Sequence, residues 1–206
     1  MCIRDRLRGG GNPPVFFVDV SKENSYSDCK FSKTAPEWRT VSVGLNIHGI
    51  CLNTDCKAYK KEVICPIGIG IFDLILDNDE IKCPVCKEKF RSISCGFREC
   101  FYTFEGTKLT NNNSLKKFQQ EKIKEIKNNY RYFDPKLSGV IEWKTLKIIT
   151  FKDKYDCYSK DLISICFVCL ESSGSLKNNH YGHKYHDSCR NMLIPELKSF
   201  CLICLN

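Results

Sequence analysis

A chain of 206 residues with 15 cysteines is long enough for one ordinary domain, or for two to three small metal-stapled ones. It carries no secretory signal and no apolar run near the length of a membrane span. A cytoplasmic or nuclear protein with no membrane partner is therefore expected, and its paired cysteines read as metal ligands before disulfides. The formal charge of +8 is spread along the sequence rather than gathered in one block, so it permits RNA or acidic partners without predicting them.

The first six residues, MCIRDR, look like translated sequencing adapter and are set aside from the fold reading. The next four, Leu7, Arg8, Gly9 and Gly10, resemble the C-terminal tail of ubiquitin, with Gly11 opening a new segment. That resemblance implies a fragment of a ubiquitin fusion, cut after Gly10 by a deubiquitinating protease. Two glycines put no side-chain bulk at the scissile bond, so an extended Arg-Gly-Gly strand can thread a narrow protease channel. Residues 1–11 are assigned to artefact and tail.

Residues 12–155 read as one cysteine-rich, zinc-ribbon-like module, mainly β with a single helix. The run PPVFFVDV, β-branched and aromatic after two prolines, predicts a strand within residues 12–20, and residues 21–32 a loop or short hairpin. Loose alternation at Trp38, Val41, Val43, Leu45 and Ile47 predicts one or two strands over residues 37–50. Cys51 and Cys56 then form a CxxxxC turn, and Cys83 and Cys86 a CxxC turn. Two such knuckles separated by a hairpin-sized insert are the sequence form of a zinc ribbon, in which four sulfurs close one tetrahedral site. Between them, Ile67, Ile69, Ile71, Leu74 and Leu76 mark strands, and Asp77, Asn78 and Asp79 a turn.

Cys95 and Cys100 repeat the CxxxxC spacing inside strand-like text. They are candidate ligands of a further zinc with Cys65, or replacements for one ribbon knuckle, or buried thiols. Cys29 and Cys157 have no partner at ligand spacing and read as small buried hydrophobes. Phe90, Phe97, Phe101, Tyr102 and Phe104 alternate with polar residues as base-stacking platforms do. They read as core instead, because a small β module must fill its interior, and nucleic-acid binding is not expected.

Residues 114–129 lack Gly and Pro and read as a helix, with Leu115, Phe118, Ile123 and Ile126 inward and lysines on the solvated face. The text FDPKLSGVIEWKTL has the outline of a calcium-binding loop at Asp134, Ser138, Gly139 and Ile141. Lys136 and Thr145, however, stand where oxygen ligands are required. It reads as a turn at Ser138 and Gly139, then a strand through Trp143, Leu146, Ile148 and Phe151, with residues 155–161 as a linker.

Residues 156–206 hold the densest ligand series: Cys166, Cys169, His180, His183, His186, Cys189, Cys201 and Cys204. Eight thiolate and imidazole ligands suit two zinc ions. Their order resembles the RING finger, with His180 in place of the usual cysteine and one position early. The resemblance implies cross-bracing, in which Cys166 and Cys169 share one ion with His186 and Cys189, and His180 and His183 share the other with Cys201 and Cys204. Metal binding would then replace most of the missing hydrophobic core.

Resemblance to RING-type ligases further implies no catalytic residue of the chain's own, only positioning of a ubiquitin-conjugating enzyme. The docking face would be Val168, Leu193 and Pro195. Leu202 stands where proline usually follows the seventh ligand, and Leu205 where an arginine often bridges to ubiquitin. The competing expectation is a non-catalytic zinc-finger adaptor for a protein or RNA partner. The whole is thus expected to be an α+β chain of small zinc-stapled modules holding about three zinc ions.

Overall fold

The computed structural model describes residues 14–32, 34–120 and 123–153, and residues 175, 177, 178, 184–186, 188 and 189 further on. Between residues 14 and 153 the chain folds as a nine-stranded antiparallel sheet with one short helix.

One strand organises the sheet. β6 (Arg91–Leu109) has 19 residues, and at about 3.3 Å per residue such a strand outruns any single flat sheet. It is relieved by three register breaks, one between Ser92 and Ser94, one between Arg98 and Cys100, where Glu99 takes a φ of 45°, and one between Thr107 and Lys108. Different partners therefore serve its two halves. On one side β3 (Gly44–Ile50) pairs with the first half, Ile47 opposite Cys95, and β9 (Val140–Phe151) with the second, Ile148 opposite Phe104. On the other side β8 (Lys124–Phe133) runs beside residues 96–102 and β7 (Leu115–Gln119) beside residues 105–109.

The outer strands repeat the division. β4 (Glu62–Gly68) lies beyond β3 and β5 (Gly70–Asp73) beyond β9, joined only by Ile69. Gly68 and Gly70 both have positive φ at this bend. Any side chain at Gly44 would stand 2.2 Å from the Gly68 carbonyl oxygen, so the sheet closes here only on glycine. β1 (Val15–Val18) flanks the start of β9, and β2 (Tyr26–Cys29) flanks β8.

The curled sheet buries an aromatic cluster. Phe97 lies parallel to Tyr102 at 4.0 Å between ring centres, and Phe104 meets Phe133 edge-on at 5.3 Å. Trp143 is fully buried and donates its indole N–H to the Val18 carbonyl (3.2 Å). Phe90, Phe97, Tyr102 and Phe104 are thus interior, as read from the sequence.

The helix expected over residues 114–129 is instead β7 and the start of β8. The residues read as one helical face come from separate pieces: Phe118 of β7 packs against Trp143, Ile123 is buried just before β8 and Ile126 within it, while Leu115 is exposed. Their near-helical spacing therefore spans two strands and the connection between them rather than one turn-by-turn face. The helix that does form, α1 (Pro135–Ser138), is a single turn opened by Asp134, whose Oδ1 accepts the Lys136 N–H at 2.8 Å. Gly139 ends it with a φ of 79°, and β9 follows. Cys29 is exposed at the end of β2 rather than buried.

Further on, β10 (Lys177–Asn178) and β11 (Lys184–Tyr185) pair antiparallel, just before His186. Gly10, Cys157, Cys166, Val168, Cys169, His180, His183, Leu193, Pro195, Cys201 and Cys204 lie outside the described residues. Among the described residues no helix is long and apolar enough to cross a membrane.

Candidate metal centre

Because β3 pairs with both β4 and β6, the turn after β3 and the chain entering β6 reach the same end of the sheet. Ile50 faces Glu62 on one side and Arg91 on the other. Both cysteine turns sit at this end, so topology alone brings them together.

Each turn is tied by its own backbone. Cys51 donates its N–H to Lys61 O (3.2 Å) and accepts from Lys60 N–H (2.8 Å), with Lys60 at a φ of 58°. Within the same loop the Ala58 N–H donates to Cys56 Sγ at 3.4 Å. Across the way, Cys83 donates its N–H to Glu88 O (2.8 Å) and accepts from Lys87 N–H (3.0 Å), with Lys87 at a φ of 62°. Ala58, Ile81 and Phe90 are buried in the same cluster as Cys51, Cys56 and Cys83.

The four sulfurs of Cys51, Cys56, Cys83 and Cys86 lie within 4.8 Å of one another. Cys51 stands 3.8 Å from Cys86, and Cys56 3.9 Å from Cys83. A tetrahedron with Zn–S bonds of about 2.3 Å has edges of about 3.8 Å, whereas a disulfide needs about 2.05 Å. All four are free thiols set at the spacing of metal ligands.

Electrostatics favour a cation at the centre. Burial and the thiols of Cys56, Cys83 and Cys86 push Cys51 up to about 12, against the pull of the Asn53 N–H. Burial also raises Cys83. Cys86 goes the other way, to about 7: burial opposes this, but the Glu88 N–H and the thiols of Cys56, Cys83 and Cys51 outweigh it. Without metal the cluster thus holds one readily formed thiolate, and further negative charges are resisted. A divalent ion removes that resistance. Four sulfurs leave it no open position for water or substrate, so such a site is structural rather than catalytic.

Of the sequence candidates in this domain, Cys95 and Cys100 do not join the group. Both are buried in β6, Cys95 opposite Ile47 and Cys100 opposite Ile126. Burial raises the Cys95 thiol well above its ordinary range and Cys100 to about 12, which leaves both as protonated core residues. Cys65 donates toward Glu80 O at 3.8 Å. In the C-terminal segment, His186 Nδ1 stands 3.8 Å from Cys189 Sγ, and Cys189 is buried.

A second constellation was missed from sequence. His48, buried in β3, holds Glu62 Oε1 at 2.9 Å from Nδ1 and the Tyr130 hydroxyl at 2.6 Å from Nε2, while Arg39 Nη1 donates to Glu62 Oε2 at 2.9 Å. Burial lowers the His48 pKa more than Glu62 raises it, so the ring is neutral. The His48 hydrogen bond, helped by Arg39, outweighs burial and holds Glu62 near 2, and burial raises Tyr130. His48 therefore donates from Nδ1 to an ionised Glu62 and accepts the Tyr130 proton at Nε2. The partners lie 14 and 82 residues away in sequence, so no spacing signals them.

Comparison with protein-family models, curated proteins and solved structures finds no match to this chain.

Proposed function

We propose that this chain is a zinc protein of the ubiquitin system. Its C-terminal segment is a RING-type module that docks a ubiquitin-conjugating enzyme, and its β domain is a recognition module stapled by the zinc of Cys51, Cys56, Cys83 and Cys86. The observation that carries the reading is the ligand order from Cys166 to Cys204. Within that order, His186 and Cys189 are 3.8 Å apart, close to the roughly 3.6 Å expected of an imidazole and a thiolate on one zinc. The closed four-sulfur centre supports a scaffold role for the β domain. Two ions in the C-terminal module and one in the domain make three.

Catalysis on this reading is borrowed: the module holds the charged thioester of its partner in a reactive geometry and contributes positioning alone. The LRGG stretch at Leu7 to Gly10 fits the same system as a site for a deubiquitinating protease.

The test uses the purified chain with a panel of conjugating enzymes charged with ubiquitin. Val168→Ala and Leu193→Ala together should leave zinc content unchanged, since neither residue is a ligand, yet remove most ubiquitin discharge. Truncating central interface anchors commonly costs about 1–4 kcal/mol, and contacts of this kind are weak to begin with. Unchanged discharge in the variant, or no discharge by the unmodified chain with any enzyme, replaces the ligase with the zinc-finger adaptor.

A further inference from the structure

Above the His48 network lies a cleft of about 520 Å³, within the range of ligand-binding pockets. Four stretches of chain converge on it: the end of β2 with the residues that follow, the segment around Arg39, the β3–β4 pair and the β6–β8 pair. Its floor includes His48, Glu62 and Tyr130, whose mutual hydrogen bonds fix their orientation. Burying so many polar groups costs stability unless each is satisfied, and here each is. Gly96 is part of this construction, since a Cβ there would stand 2.2 Å from the Tyr130 hydroxyl.

The described lining carries a net positive charge. Lys30, Arg39 and Arg98 face it against the single carboxylate of Glu62, an excess of two positive charges. Arg39 spends Nη1 on Glu62 and Arg98 spends Nε on Glu99, which leaves further N–H groups on both guanidiniums. Between the cations the walls are apolar. Phe31 is 48% exposed with Arg98 stacked over its ring at 4.8 Å, and Ile64 and Tyr132 continue the surface. An inorganic anion would satisfy the guanidiniums but leave this apolar surface wet. A ligand that fits both must present an anion beside an apolar group.

We propose that this cleft is a recognition site for an acidic peptide segment, with a carboxylate set against Arg39, Arg98 and Lys30 and a neighbouring apolar side chain against Phe31, Ile64 and Tyr132. It rests on the ligase reading only in making the bound segment a substrate of that ligase. Binding itself needs no conjugating enzyme, so the cleft and the ligase fail separately.

The experiment is fluorescence anisotropy with the zinc-loaded full chain and a fluorescein-labelled, end-blocked peptide of alternating Asp and Leu. Saturable binding is expected, at least tenfold tighter than to the matched Asn–Leu peptide. The Lys30→Glu/Arg98→Glu double variant should lose tenfold or more, while Lys116→Glu/Lys117→Glu, on the exposed residues of β7, should stay within twofold. Where the double variant loses zinc, Lys30→Glu alone, on an exposed residue, carries the comparison and should lose at least threefold. The proposal is overturned by no saturation at about 1 mM peptide, by equal binding of the Asn–Leu peptide, or by an equal loss in the β7 variant, which marks diffuse attraction. Tighter binding of an oligothymidine at the same residues overturns it too, in favour of nucleic acid.

Discussion

Zinc affinity at the four-sulfur centre should climb steeply with pH, and the structure fixes the minimum slope. Metal binding needs thiolates, so every proton a cysteine still carries must leave. Cys51, pushed up to about 12, and Cys83, raised above its ordinary value, both hold protons in the metal-free fold throughout the physiological range. Raised pKa values mean that protons are bound before metal and released with it, so affinity rises with pH until the raised pKa is passed. Two protons correspond to about a hundredfold per pH unit, or about 2.7 kcal/mol. Below pH 7 the Cys86 thiol, which titrates near 7, adds a third proton and about another tenfold. The assay is cobalt titration against a competing chelator, read from the visible bands of a tetrahedral cobalt thiolate. The Cys83→Ser chain, titrated in parallel, supplies the signal of other sites for subtraction. A difference signal that shifts by less than tenfold per pH unit would refute the reasoning, because it would mean that these sulfurs are already ionised or do not bind the metal.

Other consequences can be checked by unfolding measurements. Gly96→Ala should destabilise the β domain by about 1–3 kcal/mol in urea, the usual cost of overpacking, because Tyr130 is held by His48 and cannot swing away from the new Cβ. Lys108→Met should cost about 3 kcal/mol, because buried Asp19, whose two carboxylate oxygens both lie 3.0 Å from Lys108 Nζ, is left without its cation; Asp19→Leu added to it should recover part of the loss. His48 is kept neutral by burial while an unfolded histidine takes up a proton below about pH 6.5, so stability should fall by about 1.4 kcal/mol per pH unit below that point relative to a His48→Gln chain. A parallel pH profile for the two chains would count against the buried neutral ring.

What the sequence made legible is what local spacing encodes. The CxxxxC and CxxC turns announce their ligands because a knuckle is a local structure, and β9 follows from the apolar pattern after Gly139. The span from residue 114 to 129 misleads because its apolar residues belong to separate pieces, Phe118 to β7 and Ile126 to β8 with Ile123 just before it, and together they fall near a helical spacing. The register break between Arg98 and Cys100 sets Lys127, Asn128 and Asn129 of β8 against the single residue Glu99 of β6, and a mismatch of that kind exists only once the two strands are paired. Cys95 and Cys100 carry the spacing of a knuckle but sit within a continuous strand, where the sheet rather than a turn sets where their sulfurs lie. The His48 network and the cleft above it depend on pairing residues up to 82 positions apart, which composition and periodicity do not report.

The proposed zinc staple is tested most directly by native mass spectrometry of the purified chain, expressed with zinc and desalted without chelator. The account predicts the polypeptide mass plus three zinc ions, and one fewer in Cys83→Ser, with the β domain's ion the one lost. A chain that carries one zinc or none, or a Cys83→Ser chain that keeps the full complement, contradicts it.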